Sequence, residues 1–232
     1  MRAVNSERIF DDNLQLILSQ LNNEGGYDLV IGIPFFRESP HLPELLQLVD
    51  KILCKLIGKR YLIVCAGDQY CNETLSTIQG LQLENPHMEY LMPAEISGRG
   101  MSIRTFLEIA NVMEADLIVF SANMEAEQGI GINEVWLEQL LSPISGNYDM
   151  AFGSMPQHFG LNSSAPYFTL PILESIYGIR ISSASGGVYT FDHSFVEELA
   201  EEAKFWSGFI DGYGFDIWSI TRALVWDKRI CE

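Results

Sequence analysis

Gly98-Arg99-Gly100 stands directly before a run in which Ile103, Phe106, Leu107, Ala110 and Met113 recur at helical spacing. Two glycines around an arginine at a helix start let backbone N–H groups approach an anion, and the guanidinium adds a two-pronged donor. A phosphate is the guest such a loop suits. Asp216 follows the turn Gly212-Tyr213-Gly214 at the head of another apolar helix. It is either a helix-start carboxylate favoured by the dipole or, if buried, a paired or shifted acid of the kind found in sites. Gly186-Gly187 precedes a short strand. Without Cβ atoms the pair either lets backbone amides approach a sugar or phosphate closely or simply makes a flexible turn.

The elements that must carry these groups follow from the apolar pattern. Leu29–Pro34, Tyr61–Ala66, Met88–Leu91, Leu117–Phe120 and Met150–Gly153 are short uncharged or nearly uncharged runs, as strands buried in a sheet would be. Between them lie helical stripes. Leu42, Leu45, Leu46, Val49, Leu53 and Leu56 form one, with Pro43 in its first turn, where a missing N–H costs nothing. Asn72 or Thr74 is expected to cap a short helix reaching Leu83. Val135, Trp136, Leu140 and Leu141 mark a helix ended near Pro143, and Phe195, Val196, Leu199 and Ala203 mark another. Strands alternating with helices across short loops give an α/β fold, a single doubly wound sheet flanked by helices. Residues 1–26, with Ile9, Leu14, Leu16, Ile17, Leu18 and Leu21, are expected to form a helical extension docked on the body formed by 27–232.

Composition narrows the function. The chain has 232 residues, 47% of them hydrophobic and 19% charged, which is the balance of a globular protein. A net charge of −17, from 31 acidic and 14 basic residues, argues against general nucleic-acid binding. An anionic ligand would therefore need a local cationic pocket, for which Arg37, Arg99, Arg104 and Arg180 are the candidates. No apolar run is long enough to cross a membrane, and the first residues do not read as a signal peptide. The four cysteines fit no zinc pattern, Cys54 and Cys65 are expected in the core, and the chain reads as cytoplasmic and reduced. No Gly-rich dinucleotide fingerprint follows the first strand and no P-loop motif occurs, which argues against both of those nucleotide folds.

The order of these motifs resembles the nucleotide-sugar glycosyltransferases of the GT-A fold, over about residues 28–226. Those enzymes run Gly-Lys-Gly, helix, strand, then a metal-binding Asp-x-Asp. Here Arg99 stands for the lysine and Ser121-Ala122-Asn123 for the acidic motif, so both carboxylates are replaced. Ile33-Pro34-Phe35-Phe36-Arg37-Glu38 is similar to the family's Ile-Pro-x-Tyr-Asn-Glu turn, which implies Pro34, Phe36 and Glu38 around the base; Arg37 and Glu38 could equally form an ion pair on a loop. Asp68 stands near a family aspartate that bonds base or ribose, or is a turn-forming residue.

Within the family, residues 166–191 are similar to glucosyl-3-phosphoglycerate synthase and mannosylglycerate synthase relatives, through Tyr177-Gly178, Arg180-Ile181 and Gly186-Gly187. Val188 replaces an acidic residue there. Gly212–Trp218 is similar to the family's Tyr-Gly-Ile-Asp-Ile-Trp.

The resemblance implies a mixed sheet and transfer of a hexose from a nucleotide sugar to a small hydroxylated acceptor, glycerate- or phosphoglycerate-like, with retention. It implies Asp216 as the catalytic acid; Gly98, Arg99, Gly100, Arg104, Ser121 and Asn123 on the nucleotide sugar; and His158, Arg180, Gly186, Gly187 and Tyr213 toward acceptor or sugar. His158, alone in a polar loop, either touches a phosphate or does nothing. A Mg²⁺ or Mn²⁺ ion would have only Asn123 and Glu125 as weak ligands, so Arg99 and Arg104 are expected to stabilise the leaving charge instead. Three lost acids are also what a retired, nucleotide- or partner-binding relative would show. The resemblance allows a homodimer. The family's pattern continues beyond Glu232, so the chain is read as a fragment or a trimmed member.

Overall fold

The computed structural model describes residues 2–21, 26–36, 41–55, 60–121, 133–145, 147–153, 168–182, 187–206 and 208–232, with backbone only at 2–5, 143–145 and 213. Seven strands form one sheet: β1 (Leu29–Phe35), β2 (Tyr61–Asp68), β3 (His87–Met92), β4 (Asp116–Val119), β5 (Met150–Phe152), β6 (Tyr189–Phe191) and β7 (Ile230–Cys231). Their order is β3-β2-β1-β4-β6-β5-β7. β3, β2, β1 and β4 run parallel, whereas β6 is antiparallel to both β4 and β5. The sheet is thus mixed. Its parallel half brings the carboxyl ends of β1, β2 and β4 to one edge, where open α/β sheets bind ligands.

Among the described residues eight α-helices accompany the strands: α1 (Arg2–Leu21), α2 (Leu42–Leu53), α3 (Asn72–Gln79), α4 (Arg99–Val112), α5 (Glu134–Ser145), α6 (Leu170–Tyr177), α7 (His193–Ala203) and α8 (Phe215–Val225). The period of two along each strand decides which helices it meets. Leu29, Ile31, Ile33 and Phe35 of β1 pack with α2, α3 and α5, together with Tyr61, Ile63, Ile118 and Phe120. Val30, Leu62, Val64, Leu117 and Val119 face the other way, into a core shared with α1, α4, α7 and α8. Burying both faces explains why the strands carry so few charges. α4 lies close against the sheet because residue 32 is glycine: a Cβ there would sit 2.3 Å from the Phe106 ring.

α1 docks through Phe10, Leu14, Ile17 and Leu21, which join the α4 core, while Leu16 is exposed. Elsewhere local detail departs from the pattern. Asn72 is the first helical residue of α3 and not its cap; its amide donates to Gln69 O at 3.0 Å, and the helix stops at Gln79. α5 continues past Pro143 to Ser145. Cys54 is exposed rather than buried, and Cys65 and Cys71 lie in the core. No described helix is long and apolar enough to cross a membrane.

Candidate active site at the carboxyl edge of the sheet

Three elements meet at the edge beyond β4. Phe120 donates its N–H to Gly32 O at 2.9 Å, which carries the chain out of the sheet in register and presents Ser121. Gly187, at φ +68, enters β6 beside it. A Cβ at Gly187 would stand 3.1 Å from Ser121 Cβ and 3.8 Å from Arg99 Nη2, so both the backbone conformation and the space call for glycine. The third element is the first turn of α4, which supplies Arg99.

Arg99 is only 7% exposed. Its Nη1 donates to Asp216 Oδ1, and the Asp216 side chain is 13% exposed. A buried guanidinium and carboxylate tolerate burial only together; removing one partner of such a pair costs about 3–5 kcal/mol. Arg99 Nη2 is buried as well and has no hydrogen-bond partner among the described residues. One arm of the guanidinium is held by Asp216 and the other, near Gly187 and Ser121, is open.

Tyr189 was not legible as part of this cluster. It is the first residue of β6, with its ring 6.1 Å from both Phe191 and Phe215 and its hydroxyl buried. Burial pushes its pKa well above the ordinary phenol value and the Asp216 charge adds to the shift, while Arg99 opposes it in part. The phenol therefore remains a neutral donor beside the ion pair. Its only sequence signal is the aromatic placed two residues after the glycine pair.

The glycines flanking Arg99 have a different task from the one expected. A Cβ at Gly98 would lie 2.6 Å from Asp211 O, and one at Gly100 would lie 1.8 Å from Ile210 O. They let the backbone of residues 210–211 press onto the start of α4. The same contact brings α8, and so Asp216, to Arg99.

Arg104 leaves the cluster. Five residues along α4 it points to α1, where Nη1 donates to Glu7 Oε2 at 2.9 Å, Nη2 pairs with Oε1, and the guanidinium carbon sits 4.0 Å over the Phe10 ring. It is 4% exposed and its charge is matched by Glu7. It lines a separate cleft of about 1000 Å³ with Asp11, Glu95 and Asp211, an acidic wall poorly suited to a diphosphate. Arg180 is on the surface, 3.8 Å from Glu174, and is not part of the cluster either.

Pro34 is buried in β1 opposite Ala66, Phe36 follows that strand half-buried, and Asp68 ends β2, all on the same sheet edge as Ser121. Asp68 Oδ1 accepts from Tyr70 N at 2.8 Å and Cys71 Sγ at 3.3 Å, the geometry of a turn-forming aspartate. Arg37, Glu38, Asn123, Glu125, His158 and Gly186 lie outside the described residues, as does the Tyr213 side chain.

Among the described residues the donor set for a divalent ion is poor. Ser121 offers a hydroxyl, and Val188, in the place of the acid, is fully buried with Phe120 and Leu137. Among the described residues no three His, Cys, Asp or Glu side chains are grouped as metal ligands. The Arg99 guanidinium stands beside Gly187 and would repel a cation there.

No protein-family model matches this chain, and no curated protein matches it in sequence. Solved structures do match in fold. Glucosyl-3-phosphoglycerate synthase from Mycobacterium tuberculosis, in complex with Mn²⁺, UDP and phosphoglyceric acid, superposes with a TM-score of 0.59 at 12% identity, over 89% of this chain and 68% of that one. Mannosyl-3-phosphoglycerate synthase from Rubrobacter xylanophilus gives 0.52 at 9% identity, over 87% and 74%. S. aureus TarS 1–349 gives 0.50 at 13% identity, over 88% and 58%. These are GT-A glycosyltransferases, and the fold of this chain is theirs.

Proposed function

We propose that this chain binds a nucleotide sugar by its diphosphate at the Arg99–Ser121–Gly187 edge and transfers the hexose to a small hydroxylated acceptor. The observation that carries the reading is Arg99: a buried guanidinium with one amino group paired to Asp216 and the other, beside a glycine turn, without a partner among the described residues. The glucosyl-3-phosphoglycerate synthase of similar fold binds UDP. Departure of the diphosphate concentrates negative charge, and a preorganised cationic donor stabilises that charge most where water is excluded. Arg99 supplies the charge and Asp216 orients it. Asp216 therefore acts in this reading through the arginine, and Ser121 and the backbone at Gly187 frame the phosphate side.

In two complexes of the glucosyl-3-phosphoglycerate synthase Mn²⁺ accompanies UDP. The described residues here do not offer such an ion a suitable set, so no step is assigned to one. The acceptor is kept to a small hydroxylated molecule of the glycerate or phosphoglycerate kind, as the phosphoglyceric acid bound by the first neighbour suggests. A second reading, a binding domain without turnover, is favoured by one observation: the position of the third acid has become apolar core at Val188.

The two readings separate in an assay of UDP-, GDP- and ADP-sugars with glycerate and 3-phosphoglycerate as acceptors, with and without Mn²⁺. Transfer, or slow release of free sugar, supports the enzyme. Binding of the nucleotide sugar without either supports the binding domain. No binding of any nucleotide sugar contradicts both.

A further inference from the structure

Resting on the nucleotide-sugar reading above, we propose that Tyr189 is a positioning residue: its hydroxyl holds Asp216 so that Arg99 keeps its second amino group turned to Gly187 for the donor's diphosphate. Asp216 Oδ1 accepts from Arg99 Nη1, and Oδ2 is the carboxylate's other acceptor. The charged groups that act on the Tyr189 hydroxyl are Asp216 and Arg99 themselves. The hydroxyl and the carboxylate are close enough to couple, yet no hydrogen bond of proper geometry joins them. A buried phenol hydroxyl that finds no acceptor is costly, which favours a bond from it to the Asp216 carboxylate.

The ring cannot swing away to find another partner. It is packed against Phe191 and stands edge-on to Phe215, and only 1% of the residue is exposed. Phe215 also precedes Asp216 in α8, so the ring that fixes Tyr189 and the carboxylate it addresses move as one unit. A carboxylate held from one side pivots and takes the guanidinium with it. Held from two sides, it fixes the direction of Nη2 before the ligand arrives, which is the preorganisation that tight anion sites require.

Calorimetric titration of UDP and of uridine into wild type, Arg99→Ala, Tyr189→Phe, Asp216→Asn and the Tyr189→Phe/Asp216→Asn double variant tests this. Tyr189→Phe is expected to weaken UDP roughly 5- to 10-fold, the scale of one ordinary net hydrogen bond acting at second hand, while uridine binding stays as in wild type. A merely structural loss would weaken both ligands together and would overturn the proposal. The double variant should bind UDP no worse than Asp216→Asn alone, because the phenol acts through that carboxylate; additive losses also overturn it. If Asp216→Asn does not fold, the UDP-to-uridine split in Tyr189→Phe decides alone. Loss of UDP binding in Arg99→Ala with none in Tyr189→Phe overturns the role of Tyr189 and spares the diphosphate site. No UDP binding in wild type overturns the site and the positioning role together.

Discussion

Arg99 shows how one residue can look like a ligand-binding group in sequence and be only half free in the fold. Its flanking glycines are legible as requirements, but the sequence does not say whether a phosphate or the protein's own backbone occupies the space they leave. The structure places the carbonyls of Ile210 and Asp211 there. Gly100→Ala is accordingly expected to cost about 3 kcal/mol or more, a melting shift of roughly 6–12 °C in a chain of this size, measurable by calorimetry. Val188 carries the opposite lesson. Restoring an acid with Val188→Asp puts an unpaired carboxylate among Phe120 and Leu137. The expected result is about 4 kcal/mol or more of lost stability and no gain in Mn²⁺ affinity. A Val188→Asp protein as stable as wild type that binds Mn²⁺ would show the position to be a ligand site after all.

At the scale of elements, β1, β2 and β4 are legible because strands buried on both faces are continuous apolar runs, and α2, α4 and α7 because each keeps an apolar stripe. The part of the site built across elements is less so. Asp216 and Arg99 are 117 positions apart, and nothing in either local pattern announces their pairing. Arg104 looks equivalent to Arg99 on paper; a step of five residues around α4 sends it to α1 instead. That division has a measurable consequence. Glu7→Ala removes the partner of a buried Arg104, but Glu7 is 40% exposed, so water reaches the pair. A loss of about 2 kcal/mol is expected, below that of a fully buried pair. UDP affinity should be unchanged, since α1 and Arg104 lie outside the diphosphate cluster. A matching fall in UDP affinity would tie α1 to the site.

The molecule as a whole carries a net charge of −17, and several carboxylates are half-buried within that field. Burial raises the pKa of Glu89, Glu108, Asp192 and Asp211. An acid whose folded pKa is raised binds more protons in the native state than in the unfolded chain. Its cost is absent below the unfolded pKa and appears as pH rises through the window up to the folded value. Asp149 runs the other way: burial pushes its pKa up, but bonds from Arg229 outweigh it and leave the net shift downward. It contributes stability that is lost only as pH falls through its folded pKa. As pH falls from neutrality toward the ordinary carboxylate range the melting temperature is therefore expected to rise, and below about pH 4 to fall. A monotonic decline from pH 7.5 downward would contradict these shifts.

The central claim is that a guanidinium grips the diphosphate at the sheet edge, and titration of UDP in the presence of EDTA tests it most directly. Wild type should bind with an affinity that added Mn²⁺ changes little, and Arg99→Ala should lose at least about 30-fold, the scale of removing a charge-assisted contact. Binding that appears only with Mn²⁺ and is indifferent to Arg99→Ala would contradict it.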